Sequence, residues 1–79
     1  MTKLQSAWMR ANAPLAAREL LHKLHWRPIN GMETFLIGEN PNMFVLREIL
    51  SQLDSPRKAG TKVGLIKCIV DEIWGRRSA

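Results

Sequence analysis

The sequence has few of the features that would crosslink a small protein or anchor it in a membrane. Cys68 is the only cysteine, so no intrachain disulfide can form, and a lone thiol is typical of a reducing compartment. No apolar run approaches the roughly 20 residues of a membrane span. Residues 1–13 also lack the apolar stretch of a secretory signal. We therefore expect a soluble, cytoplasmic protein with no membrane contact.

The usual catalytic and metal-binding patterns are missing too. His22 and His25 lie three positions apart on a predicted helix, but without a nearby cysteine or carboxylate they make an incomplete zinc site. Gly60-Thr61-Lys62 is similar to the end of a phosphate-binding loop, yet the earlier glycine of such a loop is absent, since position 55 is Ser. We predict no enzymatic activity, no metal site and no cofactor.

The chain is short for the apolar surface that it carries. Its 79 residues suffice for a single small domain spanning 1–79, and a chain of this size buries only about 60% of its unfolded surface. The aromatic side chains exceed what one small core holds, particularly Trp8, Phe35, Phe44 and Trp74. Self-association as a homodimer, or a partner surface, would cover the excess.

The first predicted helix begins at Pro14, because proline suits the first helical position, and it ends near Trp26. Its apolar residues recur at helical spacing: Leu15, Ala17, Leu20, Leu21 and Leu24. Upstream, the pattern across residues 4–11 predicts a short additional helix with Thr2 as its N-cap. We expect Pro14 to separate or kink these two helices.

The second predicted helix begins at Asn40-Pro41, an N-cap followed by a first-turn proline, and stops before Ser55-Pro56. One face is apolar, formed by Met43, Leu46, Ile49, Leu50 and Leu53. The third begins at Thr61 and ends at Gly75, with an apolar face of Val63, Ile66, Ile69, Val70 and Ile73. Gly64 inside this helix is unfavourable, which indicates either that the helix begins later or that another backbone, a ligand or a second helix approaches closely there.

The segment between the first two main helices has two interpretations. Asn30-Gly31 is a strong hairpin signal, and Thr34–Ile37 reads as a strand after it. Pro28 would restrict the partner strand to a sheet edge. An irregular loop that carries Phe35 into the core is the alternative. The predicted fold is therefore mainly α, a small three- to four-helix domain with either a short β-hairpin or a loop across residues 25–39.

The charge of the chain indicates an acidic partner. Twelve Lys and Arg against seven Asp and Glu give a net charge of +5, which favours nucleic acid or an acidic protein face. The positive charge is densest in the turn 55–62. Each of Trp8, Trp26 and Trp74 lies near an arginine; such pairs can stack on nucleic acid, but the sequence favours a role in capping the ends of a small core.

Residues 43–74 resemble the SAP and HeH families, which are helix–extended loop–helix modules. The resemblance rests on the run Gly60-Thr61-Lys62-Val63-Gly64-Leu65-Ile66, which carries their Gly-x-Lys-x-x-Leu-Ile signature. It implies binding to the DNA backbone, with Arg57, Lys58 and Lys62 facing phosphates. A helix N-terminus beside cations suits such contacts. Gly64 and Cys68 depart from the family pattern, and the loop lacks its Gly-Leu pair.

Two functions follow from these observations. In the first, the protein binds the nucleic-acid backbone without catalysis, through six cations: Arg57, Lys58, Lys62, Lys67, Arg76 and Arg77. In the second, it is a small adaptor or inhibitor, of the kind carried by mobile elements, which docks on an acidic face of a larger protein machine. The sequence leaves the identity of the partner, any sequence specificity and the oligomeric state open.

Overall fold

Four α-helices account for most of the computed structural model, which describes residues 2–78. They are α1 (Lys3–His25), α2 (Ile29–Glu39), α3 (Met43–Gln52) and α4 (Lys62–Ser78). The predicted mainly helical fold is confirmed. Both interpretations of residues 25–39 are wrong, because residues 2–78 contain no strand and Ile29–Glu39 forms a helix rather than an irregular loop. Across the same residues, no helix combines the length and apolar character needed to cross a bilayer.

Helix α1 is a single helix that runs through Pro14, so the prediction that this proline separates two helices is wrong. Thr2 caps it as predicted: its hydroxyl accepts from the Gln5 amide at 3.1 Å, and the Gln5 side chain accepts from the Thr2 amide at 2.9 Å. Pro14 costs one intrahelical hydrogen bond. Burial of Ala13 and Ala17 and a 2.9 Å hydrogen bond from Gln52 Nε2 to the Pro14 carbonyl hold this turn against α3.

Helix α2 occupies the segment that carries the hairpin signal. Asn30-Gly31 lies in its first turn, and its last residue is followed by Asn40 in the left-handed conformation (φ 51°). Met32 and Leu36 are four residues apart, and both are fully buried. A helix places this pair on one face, whereas a strand would also need a partner strand to satisfy its backbone. Burial of this face therefore overrides the local turn preference.

The starts of α3 and α4 show how side-chain capping sets helix boundaries. Helix α3 begins later than predicted, because Asn42 is the N-cap and accepts from the Val45 amide at 3.0 Å. Thr61 caps α4 as predicted, accepting from the Gly64 amide at 3.0 Å. The predicted end of α4 is wrong, since the helix continues through Gly75.

The helices pack in the order α1, α3, α4, α2: α3 contacts α1 and α4, and α2 contacts α4. All four contribute to one core, formed by Ala13, Ala17, Leu20, Leu24, Met32, Leu36, Val45, Leu46, Ile49, Leu50, Leu65, Ile66, Ile69 and Ile73. Residues 3–12 of α1, here called the arm, contain no buried residue. The core thus begins only at Ala13, and the arm has little tertiary packing.

Replacing the fully buried Ile69 with alanine should lower the free energy of unfolding by about 2–5 kcal/mol, because the surrounding helices cannot close the cavity. The matched control is Val63→Ala in the same helix, where the side chain is 57% exposed; we expect a change below about 0.5 kcal/mol. Urea denaturation followed by circular dichroism measures both variants. Wild-type stability of Ile69→Ala would show that the core is wrongly assigned.

Candidate functional site

The basic loop 53–61 lies along one face of α4, and Gly64 makes its closest approach possible. A Cβ atom at position 64 would lie 2.9 Å from Ala59 Cβ and 2.9 Å from Thr61 Oγ1. Both distances are shorter than van der Waals contact, so a side chain there would displace the loop or disturb the N-cap. The glycine is therefore explained by packing of the loop on its own helix.

The loop runs antiparallel to α4. Each step of one residue back along the loop is matched by a step of one helical turn forward along α4. Cys68 Sγ donates to the Lys58 carbonyl at 3.9 Å, and Arg57 Nε lies 4.0 Å from Glu72 Oε1. Because Cys68 and Glu72 are four residues apart, they share one face of the helix. The predicted cations Arg57 and Lys58 are thus held in a defined position at the surface.

Glu72 gathers two of the predicted cations around a carboxylate. Its Oε2 lies 3.6 Å from Arg76 Nε, and Arg57 approaches its other oxygen. A hydrogen bond from Ser55 has the largest effect on the pKa of Glu72 and lowers it; desolvation opposes this, and the charges of Arg76 and Arg57 lower the pKa further, so the net shift is downward. The carboxylate therefore stays charged and offsets part of the local positive charge.

An open cleft of about 410 Å³ lies between the loop and α3. Its rim carries three cations, Arg47, Arg57 and Lys58. The remaining lining consists of two hydroxyl side chains and an apolar floor: Ser51, Ser55, Leu50, Ala59 and Leu65. Arg47 was missed by the sequence analysis. The available signal was its spacing, since Arg47 and Ser51 lie one turn apart on the polar face of α3.

The other predicted cations lie outside this cleft. Lys62 Nζ donates to Asn40 Oδ1, which directs it toward the junction of α2 and α3. Lys67 is exposed on α4 and has no ion-pair partner among residues 2–78. The structure therefore brings only Arg57 and Lys58 of the six predicted residues to the cleft, while Arg57 and Arg76 meet through Glu72.

Arg77 joins the end of α4 to the end of α1. Its guanidinium donates to the carbonyls of Leu24 at 3.0 Å, His25 at 3.3 Å and Arg27. Carbonyls at a helix C-terminus lack intrahelical donors and carry partial negative charge, so a planar cation satisfies several of them together. Three of its hydrogen bonds are therefore used within the fold, and they hold the last turn of α4 beyond Gly75.

The tryptophans do not cap the core, contrary to the prediction. Trp8, Trp26 and Trp74 are 68%, 76% and 57% exposed. The ring of Trp26 makes an edge contact with the His25 ring, at 4.9 Å between centroids. Both histidines of the incomplete zinc pattern lie on the surface of α1 near its end, and residues 2–78 contain no cluster of three or more His, Cys, Asp or Glu arranged to hold a metal ion.

Two glycines in α4 should respond to alanine with opposite signs. Gly64→Ala should lower the free energy of unfolding by about 1–3 kcal/mol, because the new Cβ collides with Ala59 and the Thr61 hydroxyl. A Cβ atom at Gly75 would meet nothing from the rest of the fold within 4 Å. Gly75→Ala should therefore raise the free energy of unfolding by about 0.5–1 kcal/mol, because alanine has a higher helix propensity than glycine. Thermal and urea denaturation measure both. Equal stabilisation by the two changes would contradict the close loop contact.

Arg77→Ala should lower the free energy of unfolding by about 1–2 kcal/mol, since it leaves the carbonyls at the end of α1 without their cationic donor. The neighbouring Arg76→Ala removes the same charge from an exposed ion pair and should cost less than about 0.5 kcal/mol. Urea denaturation compares the two variants. Equal losses would mean that net charge, rather than capping of α1, determines the effect.

Comparisons of this chain with protein-family models, with curated proteins and with solved structures found no match. The resemblance of residues 43–74 to SAP and HeH modules therefore stays a prediction. Function is inferred instead from the cleft, from the exposed side chains and from the charges that the fold leaves without partners.

Proposed function

We propose that the protein is a non-enzymatic binding protein that holds the nucleic-acid backbone in the cleft beside the loop 53–61. The observation that carries the proposal is the convergence of Arg47, Arg57 and Lys58 on one open cleft. Cations of this kind, spaced around a groove, neutralise phosphates and release their counterions. The helix–loop–helix order of residues 43–74 gives further support, because SAP and HeH modules have the same order.

The charges around the cleft are unequally compensated. Arg57 shares the Glu72 carboxylate with Arg76, whereas Arg47 and Lys58 have no ion-pair partner within residues 2–78. The Ser51 hydroxyl on the same wall is an additional neutral donor for a phosphate oxygen. Arg47 and Lys58 should therefore contribute most of the attraction, with Arg57 exchanging Glu72 for a phosphate.

The cleft favours contacts to the backbone rather than to the bases. None of its lining residues is aromatic, and none carries an amide side chain. Without aromatic rings the cleft cannot stack on bases, and without amides it cannot pair with adenine; of its two arginines, the side chains that pair with guanine, Arg57 is held by Glu72. Binding through this cleft should therefore depend strongly on salt and little on nucleotide sequence.

A second candidate function is that of an adaptor or inhibitor that docks on an acidic protein face. It is supported by a shallow apolar pocket of about 540 Å³ between α2 and α4, lined by Ile29, Asn30, Glu33, Val70 and Trp74. Trp74 is 57% exposed there, and exposed tryptophans beside such pockets are frequent anchors of protein interfaces. Val70 and Trp74 lie on a different face of α4 from the loop, so the two functions can be tested separately.

The test of the nucleic-acid proposal is the salt dependence of binding to a labelled duplex and a labelled single strand. Changing Arg47, Arg57 and Lys58 together to alanine should lower the slope of log affinity against log salt by roughly two to three units. Affinity should fall alike for unrelated sequences, because phosphate contacts carry no base information. Fluorescence anisotropy at several salt concentrations gives both quantities.

The matched control removes the same positive charge from α1 with Lys3→Ala, Arg18→Ala and Lys23→Ala, which are all exposed. It should keep most of the wild-type slope, and circular dichroism should show that both triple variants fold. An equal loss in the control would mean that overall charge acts and the cleft does not. No binding of the wild type to either nucleic acid at low salt would overturn the proposal and leave the adaptor function.

A further inference from the structure

We propose that two copies of the protein associate by antiparallel pairing of their α1 helices along an apolar seam. The seam, defined as Leu4, Trp8, Ala11 and Leu15, faces solvent on the arm and on the turn that follows it. Leu4 is 84% exposed, Trp8 68% and Leu15 55%. Exposed apolar residues in a continuous stripe indicate an interaction surface, unlike single scattered ones.

The spacing of the seam places it opposite the core. Its members follow one another by four, three and four positions, so at about 100° per residue they lie within roughly 60° of arc. Ala13 and Ala17, which are buried against the rest of the molecule, fall on the other side of the same helix. Two copies joined along the seam would therefore carry their cores on the outside of the pair.

The seam is complementary to itself in an antiparallel arrangement. A two-fold axis between positions 9 and 10 places Leu4 opposite Leu15 of the second copy, and Trp8 opposite Ala11 of the second copy. The large indole thus meets the smallest side chain of the seam, and the two leucines meet each other. Alternating intervals of four and three residues are those of a coiled-coil seam. A partner of unrelated sequence would have no reason to match this order.

The charges around α1 permit such a pair in spite of the net charge of +5. The residues that flank the middle of the seam, Gln5, Ala7 and Asn12, are uncharged. Arg10 is drawn toward the core, with its guanidinium carbon 5.2 Å from the ring centroid of Phe44. No like charges therefore face each other across the middle of the seam, whereas Lys3 and Arg18 carry positive charge at its two ends, where it weakens self-association.

The area of the seam determines how strong the association should be. One tryptophan and two leucines expose roughly 400 Å² per copy, about half of what a standard interface buries on each side. The dimer should accordingly be weak and should dissociate on dilution. It is best observed by sedimentation equilibrium over about 5–500 µM protein, a range that spans micromolar dissociation constants.

The first experiment compares wild type with Trp8→Glu in that sedimentation measurement. Trp8→Glu should weaken self-association at least about tenfold, because it places two carboxylates in the seam of each pair. The arm has no buried residue, so this variant should keep the wild-type melting behaviour. The control is Trp26→Glu, which alters a more exposed tryptophan outside the seam and should leave the monomer–dimer equilibrium unchanged.

The second experiment tests the antiparallel register by disulfide trapping in a Cys68→Ser background. Chains carrying Leu4→Cys or Leu15→Cys alone should crosslink poorly, because each cysteine faces a leucine of the other copy. A mixture of the two chains should form the mixed disulfide efficiently, since positions 4 and 15 are then opposed within bonding distance.

Four outcomes would overturn the proposal. One is a monomeric wild type at every concentration. Another is a dimer that persists in Trp8→Glu, which would locate the interface elsewhere. The third is efficient crosslinking of each cysteine chain with itself, which would indicate parallel helices. Trp8-dependent binding of a monomer to anionic phospholipid vesicles would likewise assign the seam to a lipid surface.

Discussion

The contact between α3 and α4 connects the two halves of the molecule. Helix α1 packs mainly on α3 and α2 packs mainly on α4, and the hydrogen bonds from Arg77 add a link between the ends of α4 and α1. The facing side chains are fully or almost fully buried: Leu46, Ile49, Leu50, Leu65, Ile66 and Ile69. The cleft forms between α3 and the loop that leads into α4, so its three cations keep their arrangement only while this contact holds.

The fold uses much of its positive charge internally. Arg77 caps α1, Lys62 bonds Asn40, and Arg27 lies over the Phe35 ring at 3.8 Å. Arg57 and Arg76 share one carboxylate. The net charge of +5 therefore does not show which cations are available to a partner. Cations that form ion pairs or cap a helix are less available than cations that only contact solvent. The proposed function depends on the smaller, unpaired group that includes Arg47 and Lys58.

Local signals predicted the features that depend on neighbouring residues. The caps at Thr2 and Thr61 and the helical character of α1, α3 and α4 follow from spacing within a few positions. The hairpin predicted from Asn30-Gly31 is wrong because turn preference is local, whereas the burial of Met32 and Leu36 depends on tertiary packing. Pro14 misled in the same way, since packing of the following turn on α3 offsets the lost hydrogen bond. The cleft could not be predicted from local signals. Arg47 lies beside the loop cations only after the chain has folded back on itself.

The bonds from Arg77 to the end of α1 have a consequence for the lifetime of the folded state. They connect residues 50 to 53 positions apart, so they close a loop of about two thirds of the 79-residue chain. Contacts this distant in sequence form late, because closing a long loop costs entropy that earlier contacts must first offset. An interaction absent from the transition state slows unfolding without speeding folding. Arg77 should thus control how long the molecule stays folded rather than how quickly it folds.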